Sequence, residues 1–193
     1  EQDRDMIANL LPDNSERRTK QKQRDITVVI GNPPYSVGQT SANDNAANIS
    51  YTNLDERIEK TYAANTNVIN KNSLYDSYIR AFRWASDRLG DDGVIGFITN
   101  NGWIDGSATD GFRKCLQEEF AKIYVINLRG NSRTSGERAR KEGGNIFDVR
   151  VGVTIVILGK RKFKNSDAKI FYCDIGDYLK KDEKISRIRN YGS

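Results

Sequence analysis

The chain has 193 residues, which is enough for one domain with a hydrophobic core. Hydrophobic residues make up 37% and charged residues 30%, and no apolar run reaches the ~20 residues that a membrane-spanning helix needs. Histidine is absent, which excludes Ser-His-Asp and Cys-His catalysis and histidine metal sites. The formal net charge of +5 favours a polyanionic partner, although a merely basic surface gives the same value.

The two cysteines, Cys115 and Cys173, lie far apart in apolar surroundings. This usage predicts free, buried thiols in a reducing compartment, and it disfavours a disulfide framework. The pair does not have the spacing of metal ligands, so the sequence predicts no metal site. We therefore expect a cytoplasmic protein without a membrane partner.

The first third of the chain contains one clear strand. Residues 1–25 are polar and charged, which predicts a lead-in with a short helix and a linker. The β-branched run Ile26–Ile30 is typical of a strand buried on both faces. Residues 36–73 are rich in Asn, Ser and Thr, which predicts a long polar loop with a short helix inside it.

The clearest helical pattern starts at Ser73 and forms one apolar stripe through Leu74, Tyr78, Phe82, Ala85 and Leu89. Ser73 and Asp76 have the spacing of a capping box, and Gly90 suits the C-terminal cap. The sequence then predicts a turn at residues 91–93 and a second buried strand at Val94–Thr99.

The remaining elements follow in regular order. We predict a helix near Asp110–Glu119, a basic glycine-rich loop at 129–146, and three strands at Lys122–Leu128, Val149–Leu158 and Lys169–Asp174. Crossover-sized spacers predict a mostly parallel α/β sheet, in which the strand after the basic loop is inserted antiparallel. The predicted division is a lead-in at 1–25, a catalytic region at 26–175 and a basic tail at 176–193.

Asn32-Pro33-Pro34-Tyr35 stands directly after the first strand, and it contains two of the three prolines. Ligands of open α/β sheets bind outside the carboxyl ends of the strands, where this segment is expected. The Asn32 side-chain oxygen and the Pro33 carbonyl offer two rigid acceptors, which match an exocyclic amino group, and Tyr35 offers a flat face for a base. The alternative is a rigid turn that only ends the strand.

Residues 26–35 resemble motif IV of the amino-methyltransferases that use S-adenosylmethionine, and Asn-Pro-Pro-Tyr is typical of adenine-N6 enzymes of DNA. The resemblance implies a Rossmann-like methyltransferase sheet and methyl transfer from S-adenosylmethionine to an adenine flipped out of double-stranded DNA. It also implies that Asn32, Pro33, Pro34 and Tyr35 form the catalytic loop, with Tyr35 stacked on the flipped base.

A second segment, Asn145-Ile146-Phe147 before Val151–Leu158, looks like motif VIII of the same family. That likeness implies that Phe147 stacks on the base as well, whereas an aromatic residue at the start of a strand often belongs to the core. Tyr51–Asp55, Tyr75–Phe82 and Glu142–Phe147 resemble the methyltransferase region of large single-chain restriction-modification proteins of type ISP. We therefore expect a longer parent polypeptide in a prokaryotic or phage context.

One departure from the family pattern concerns the cofactor. Residues 1–25 contain neither the glycine-rich motif nor the preceding strand that bind S-adenosylmethionine in the family. The chain is therefore expected to form the C-terminal half of the methyltransferase sheet, with the cofactor-binding residues unknown. We expect the isolated chain to be inactive and to bind S-adenosylmethionine weakly or not at all.

The basic loop suggests contact with DNA phosphates beside the flipped nucleotide, through Arg129, Arg133, Arg138, Arg140 and Lys141. A solvated flexible loop is the alternative, since Glu137 and Glu142 partly neutralise it. The charges at 160–164 and 180–184 are interpreted as surface charge.

Two other functions remain open from the sequence. The acceptor of the methyl group could be cytosine N4 or a protein glutamine, because each presents an amino group on an sp² carbon. The chain could also be a methyltransferase-like domain that only binds DNA. A nuclease is not supported, since we find no carboxylate cluster with a lysine and no phosphate-binding Gly-Lys-Ser/Thr loop.

Overall fold

A computed structural model describes residues 12–35, 51–164 and 166–191, and contains a five-stranded sheet in the order β1-β2-β4-β3-β5. The strands are β1 (Ile26–Gly31), β2 (Leu89–Asn100), β3 (Lys122–Arg129), β4 (Val153–Lys160) and β5 (Lys169–Asp174). β1 is parallel to β2 and β3 is parallel to β5, whereas β4 runs antiparallel between β2 and β3. The predicted mostly parallel α/β sheet with one inserted antiparallel strand is therefore confirmed.

The helices are α1 (Pro12–Gln23), α2 (Thr52–Ile58), α3 (Ser77–Arg88), α4 (Asp110–Glu119), α5 (Gly136–Glu142) and α6 (Lys181–Asn190). A π-helical turn at Glu59–Ala63 continues α2, and short 3-10 turns at Asn72–Tyr75 and Ser107–Thr109 precede α3 and α4. The predicted α4 is confirmed at its exact bounds, whereas α5 was not foreseen in the basic loop. None of the helices among the described residues is long and apolar enough to cross a bilayer.

The main core lies between one face of the sheet and the helices α2, α3 and α4. Phe82 of α3 is fully buried at its centre, and its ring centroid lies 5.1 Å from those of both Phe97 and Phe112. The predicted stripe of α3 faces this core because apolar residues four apart lie on one side of a helix.

Buried arginines join the helices of this layer to one another. Arg83 of α3 donates two hydrogen bonds to Glu119 of α4, at 2.6 and 3.0 Å, and a third to Asp87 at 2.7 Å. Arg80 donates to both carboxylate oxygens of Asp55 at 2.7 and 2.9 Å, which ties α3 to α2. These bidentate pairs compensate the desolvation of the two guanidinium groups.

Two predicted helix boundaries were wrong. α3 begins at Ser77 because Asp76 has an extended backbone, with φ −64° and ψ 147°, so Ser73 belongs to a separate 3-10 turn and forms no capping box. The helix also ends before Gly90, which lies inside β2. The predicted turn at 91–93 is instead a bulge of β2, where the pairing with β1 jumps between Ile26↔Leu89 and Val28↔Val94.

Among the described residues, the second face of the sheet is covered only at the carboxyl ends of the parallel strands. There Leu128, Val153 and Ile175 form a small core, against which Tyr35 and segments 146–149 and 179–188 place apolar side chains. Beyond this small core the face is open among the described residues: Val28 is 56% exposed and Ile30 82% exposed. The prediction that β1 is buried on both faces was therefore wrong, because in the described part of the chain β1 is an edge strand and its side chains on this face are exposed.

α6 holds the basic loop against the small core. Lys184 is fully buried, and its ammonium group donates hydrogen bonds of 2.8 Å to the carbonyls of Leu128 and Glu142. The interpretation of this lysine as surface charge was wrong, because α6 turns it towards the sheet. The predicted domain boundary at 175 stays a prediction, although Leu179 and Ile188 pack onto the same core as Tyr35.

Burial lowers the pKa of Lys184 to about 8, against the opposing effect of Glu142. Because the folded chain holds this proton less tightly than the unfolded chain, deprotonation favours folding, and stability rises as the pH rises above about 8. We compare the wild type with Lys184→Met by subtracting the free energy of unfolding of the variant from that of the wild type. This difference should increase by about 1.4 kcal/mol per pH unit between about pH 8 and about pH 10. Urea unfolding between pH 7 and 10 measures this difference, and parallel pH curves for the two proteins would contradict it.

Candidate functional site

The segment Asn32–Tyr35 continues β1 past its carboxyl end, where the sheet meets solvent. Gly31 pairs with Phe97 of β2, so the segment lies beside the last residues of that strand. Asn32 and Pro34 are exposed, whereas Pro33 and Tyr35 are half-buried. The Asn32 amide is therefore available to a ligand, and the two prolines restrict the backbone that carries it.

Tyr35 turns from this segment into the small core on the second face. Its hydroxyl group is buried and forms no hydrogen bond of normal geometry with the described residues. Burial raises the pKa of the Tyr35 phenol, an effect that the nearby Asn32 side chain partly opposes. The ring is therefore neutral at physiological pH, and its position is set by apolar packing.

The structure brings the segment around Phe147 to the same core. Ile146 and Val149 pack against it together with Tyr35, while Phe147 itself is 42% exposed. The two predicted stacking residues thus belong to neighbouring segments, one anchored in the core and one projecting from it. An exposed aromatic ring, on a segment that packs on the same core as an anchored one, is available to hold a flat ligand.

Asn145 holds the backbone that carries Phe147. Its amide nitrogen donates to the carbonyls of Gly130 and Val151 at 2.9 and 2.8 Å. Its amide oxygen accepts hydrogen bonds from the backbone N–H groups of Phe147 and Val149, at 2.9 and 3.3 Å. One side chain thus joins the two ends of the basic loop, which identifies Asn145 as a positioning residue.

A polar network lines the rest of the carboxyl edge. The side chain of Asn101, just after β2, donates to Asn127 of β3 at 2.9 Å, and the Asn127 oxygen accepts from the Arg129 backbone at 3.1 Å. The Arg129 guanidinium pairs with Asp174 at 2.7 Å and also with Asp177. The two carboxylates therefore offset the charge of this arginine.

Backbone strain among the described residues is concentrated in the same region. Their non-glycine residues with positive φ are Arg129, Asp148 and Tyr178, with φ of 55°, 58° and 63°. Such conformations cost about 1–3 kcal/mol each, and they cluster at functional sites. All three lie in the segments that meet around Phe147, since Tyr178 donates its N–H to the Lys141 carbonyl and Asp148 pairs with Lys181.

The predicted DNA-binding residues separate into two groups. Arg133, Arg138, Arg140 and Lys141 are exposed on or next to α5, and within the described part of the chain Arg133 and Arg138 form no ion pair. Arg140 has Glu137 at 3.7 Å and Lys141 has Asp177 at 3.9 Å, so both keep much of their charge towards solvent. Arg129 differs from these four, since its side chain is engaged within the chain; direct contact with DNA by Arg129 stays a prediction.

The carboxylates at this edge are engaged within the chain. The carboxylates at this edge, Asp174 and Asp177, are already paired with Arg129, which leaves neither free to bind a ribose. Among the described residues, β1 has no neighbouring strand on its outer side. The glycine-rich motif that binds S-adenosylmethionine in the family is not seen there either. The site as described is an acceptor pair with two aromatic residues.

Sequence reasoning missed Asn101, Asn127, Asn145 and Lys184 as parts of this site. Asn101 and Asn127 stand at the carboxyl ends of predicted strands, which is a usable signal for the polar edge. Lys184 gave no such signal, since its partners are backbone carbonyls far away along the chain. Asn145 stood in the segment that resembles motif VIII, but the sequence did not indicate that its side chain holds the backbone of the loop.

Two solved structures of DNA-bound enzymes are similar to the chain over most of its length. One is the ATP-dependent Type ISP restriction-modification enzyme LlaBIII, with 46% identity and a TM-score of 0.86 over 92% of this chain and 12% of that one. The other is a nuclease-deletion mutant of the Type ISP enzyme LlaGI, with 46% identity and a TM-score of 0.85 over 93% of this chain and 17% of that one. The chain thus spans less than a fifth of either enzyme.

A more distant neighbour is the methyltransferase subunit of the type I restriction-modification system from Streptococcus thermophilus. It has 19% identity and a TM-score of 0.50 over 89% of this chain and 32% of that one, and this likeness concerns the fold alone. A search among curated proteins gave no significant match.

The family comparison covers more than half of the chain. A family model described as Eco57I restriction-modification methylase matches residues 3–133. The motif segment Asn32–Tyr35 and the strands β1, β2 and β3 all lie within that match. The chain belongs to the Eco57I restriction-modification methylase family.

Proposed function

We propose that the chain is the base-binding part of a DNA adenine-N6 methyltransferase within a longer restriction-modification polypeptide. The observation that carries this proposal is the exposed Asn32 at the carboxyl end of β1, next to a core that anchors Tyr35 and presents Phe147. Family membership and the DNA-bound Type ISP neighbours support the assignment to restriction-modification methylation. The choice of adenine rests on the residues of the motif.

Asn32 and Pro33 act on the amino group of the target base. The Asn32 side-chain oxygen and the Pro33 carbonyl accept the two N–H groups of that amino nitrogen, whose lone pair is otherwise delocalised into the ring. Holding both hydrogens favours a pyramidal nitrogen with its lone pair directed at the methyl donor. This mechanism needs no strong general base, which agrees with the absence of histidine.

Tyr35 and Phe147 hold the ring of the base. The amino group of adenine is not accessible for transfer inside a duplex, so the base must leave the helix and be bound in a pocket. Stacking of a base on an aromatic side chain contributes about 1–3 kcal/mol. Asn145 fixes Phe147 for this role through the two backbone N–H groups that it binds.

S-adenosylmethionine, when bound, supplies an electrophilic methyl group on its sulfonium sulfur. Residues 1–25 contain no glycine-rich motif of the kind that binds this cofactor in the family, so we place its main binding site in another part of the parent polypeptide. We expect the isolated chain to be inactive. We also expect calorimetry to detect weak or no binding of S-adenosylmethionine to it, and low-micromolar affinity would contradict that expectation.

DNA phosphates beside the flipped nucleotide are the proposed partners of the exposed cations near α5. Arg133 and Arg138 have no acidic partner within the described part of the chain. They are near the site along the chain, since the same loop leads to Phe147. The partner in this proposal is double-stranded DNA.

Asn32→Ala in the parent enzyme tests the catalytic assignment. Loss of one of the two acceptors should lower the methylation rate by about 100-fold or more, because such preorganised polar contacts are worth that much in related sites. DNA affinity should stay within about threefold, since phosphate contacts dominate it. Mass spectrometry of nucleosides from methylated DNA measures the product, and filter binding measures the affinity.

Asn53→Ala is the matched control, because Asn53 is an exposed asparagine on α2, outside the carboxyl edge. Unchanged methylation by Asn32→Ala would refute the proposed role of the acceptor pair. Methylcytosine as the wild-type product would support the cytosine-N4 alternative. A wild type that binds DNA without methylating it would support a binding domain.

Replacing Arg133, Arg138 and Arg140 with alanine tests the DNA contacts. We expect a similar loss of affinity for specific and unrelated duplexes, because phosphate contacts carry no sequence information. The slope of log affinity against log salt should become shallower by about 2–3, which is about 0.9 for each lost contact. The control removes three exposed cations elsewhere, Lys60, Lys114 and Arg161, and equal slopes for the two triple variants would contradict the proposal.

A further inference from the structure

Lys184 occupies a place on α6 that an apolar residue would fill more cheaply. It is fully buried and lies one helical turn before Ile188, which packs on the small core. A buried ammonium group costs free energy unless it is compensated, and within the described part of the chain Lys184 forms no ion pair. Its hydrogen bonds must therefore do more than fill space, and they all lead to residues 130–152, which we call the β3–β4 loop.

The two carbonyl groups that Lys184 binds mark two bends of the backbone. Its ammonium group donates to the carbonyls of Leu128 and Glu142, both at 2.8 Å. Leu128 lies two residues before Gly130, whose φ is 86°. Glu142 lies directly before Gly143, whose φ is 66°. One ammonium group thus joins the place where the chain leaves β3 to the place where it leaves α5.

The same two bends also contact each other through Glu142. The Gly130 N–H donates to the Glu142 carbonyl at 3.1 Å, and the Asn131 N–H donates to the Glu142 carboxylate at 3.0 Å. Glu142 is the last residue of α5, so its carbonyl has no acceptor role inside the helix and is free to bind Gly130 and Lys184 together. The ammonium group therefore closes the first half of the loop into a ring.

The start of α6 holds the second half of the loop as well. The Gly144 N–H donates to the Leu179 carbonyl at 2.9 Å. A Cβ atom at Gly144 would lie 2.8 Å from the Lys181 nitrogen, so the two backbones meet without room for a side chain. Lys181 also pairs with Asp148, the residue after Phe147. The backbone on both sides of Phe147 is therefore fixed against α6.

We propose that Lys184 is a positioning residue for the target base. By fixing both bends of the β3–β4 loop, its ammonium group holds Phe147 in the position from which the ring stacks on the flipped adenine. This role rests on the proposed function, in which Phe147 is a stacking residue. Without the ammonium group the loop exchanges between several conformations, and only the fraction with Phe147 in place binds the base.

Lys184 acts through the loop and not on the base itself. Its side chain is fully buried, and the acceptors of its two hydrogen bonds are backbone carbonyls. The Phe147 side chain, in contrast, is 42% exposed and available to a ligand. Loss of the ammonium group should therefore affect the binding of the flipped base, and it should leave the phosphate contacts of the duplex largely unchanged.

Lys184→Met in the parent polypeptide removes the donors and keeps an unbranched side chain. We expect the methylation rate at saturating DNA and S-adenosylmethionine to fall about tenfold, because Phe147 is in place only part of the time. The DNA concentration that gives half the maximal rate should stay within about threefold, since phosphate contacts dominate DNA affinity. Lys164→Met is the matched control, because Lys164 also donates to two backbone carbonyls, at the end of α4 and outside the site.

A double-mutant cycle with Phe147→Ala separates positioning from a general loss of stability. Phe147→Ala alone should lower the methylation rate by about tenfold or more, because the base loses a stacking partner. If Lys184 acts through Phe147, adding Lys184→Met to Phe147→Ala should lower the rate by less than about twofold further. A further loss of about tenfold in the double variant overturns the proposal, since Lys184 would then support activity by another route.

Hydrogen exchange read by peptide mass spectrometry measures the loop in the parent independently of methylation. The N–H groups of Phe147 and Val149 are bonded to Asn145, and the peptide 141–150 that contains them should exchange about tenfold faster in Lys184→Met, with β2 unchanged. Unchanged exchange of this peptide overturns the proposal. Lys184→Gln keeps two N–H donors on a shorter side chain, and smaller effects of the same kind in this variant decide the question if Lys184→Met does not fold.

Failure of the proposed function gives a different result. Slow methylation by Phe147→Ala together with a wild-type rate for Lys184→Met overturns the positioning role alone and leaves the proposed function standing. A wild-type rate for Phe147→Ala contradicts the stacking role in the proposed function. Faster exchange of the peptide 141–150 in Lys184→Met would in that case still support the hold of Lys184 on the loop.

Discussion

β4 runs antiparallel between β2 and β3, and this reversal brings the site together. β3 ends at the carboxyl edge with Arg129, and Val153 pairs with both Arg129 and Asn100 at that same edge. The segment between them never crosses to the other end of the sheet. Because of that, Ile146 and Val149 pack on the same small core as Tyr35. A parallel strand would need a crossover connection that starts β4 at the opposite edge.

The loop between β3 and β4 is long, and several side-chain hydrogen bonds hold it in place. Asn145 joins its two ends through four hydrogen bonds, and Lys184 joins it to α6 through two more. Positive φ angles at Arg129 and Asp148 show that the backbone is bent against its preference. A loop that only connected two strands would have no need of such bracing, which favours a role in ligand binding.

The charges of the carboxyl edge serve two purposes. Arg129, Asp174 and Asp177 neutralise one another and support the backbone, so they form the frame of the site. Arg133 and Arg138 are left without acidic partners among the described residues, on the solvent side of the same loop. A basic segment can therefore contain both cations that pair within the chain and cations that face solvent. Only the contacts in the folded structure distinguish the two groups.

The two faces of the sheet also differ in how far the described residues cover them. On one face, α3 and α4 bury Phe82, Phe97 and Phe112 in a finished core. On the other, only the carboxyl half is closed, where Tyr35 meets the small core. The segment Asn32–Tyr35 thus lies where the small core ends and the exposed part of the second face begins.

The sequence alone determined the order of the five strands, α4 and the single antiparallel insertion, because these follow from local periodicity and spacer lengths. It also singled out the segment Asn32–Tyr35 through an unusual pair of prolines, whereas the strand predicted to start at Val149 starts at Val153. It did not determine the start of α3 at Ser77 or the bulge at residues 90–93, where pairing with β1 overrides local turn signals. The exposure of β1, the buried Lys184, the bracing by Asn145 and the pairing of Arg129 were decided only by tertiary structure. The partners of Lys184 and Arg129 lie far away in the sequence, and the partners of Asn145 stand at both ends of a loop. Their positions, like the exposure of β1, depend on how the strands are ordered in the sheet.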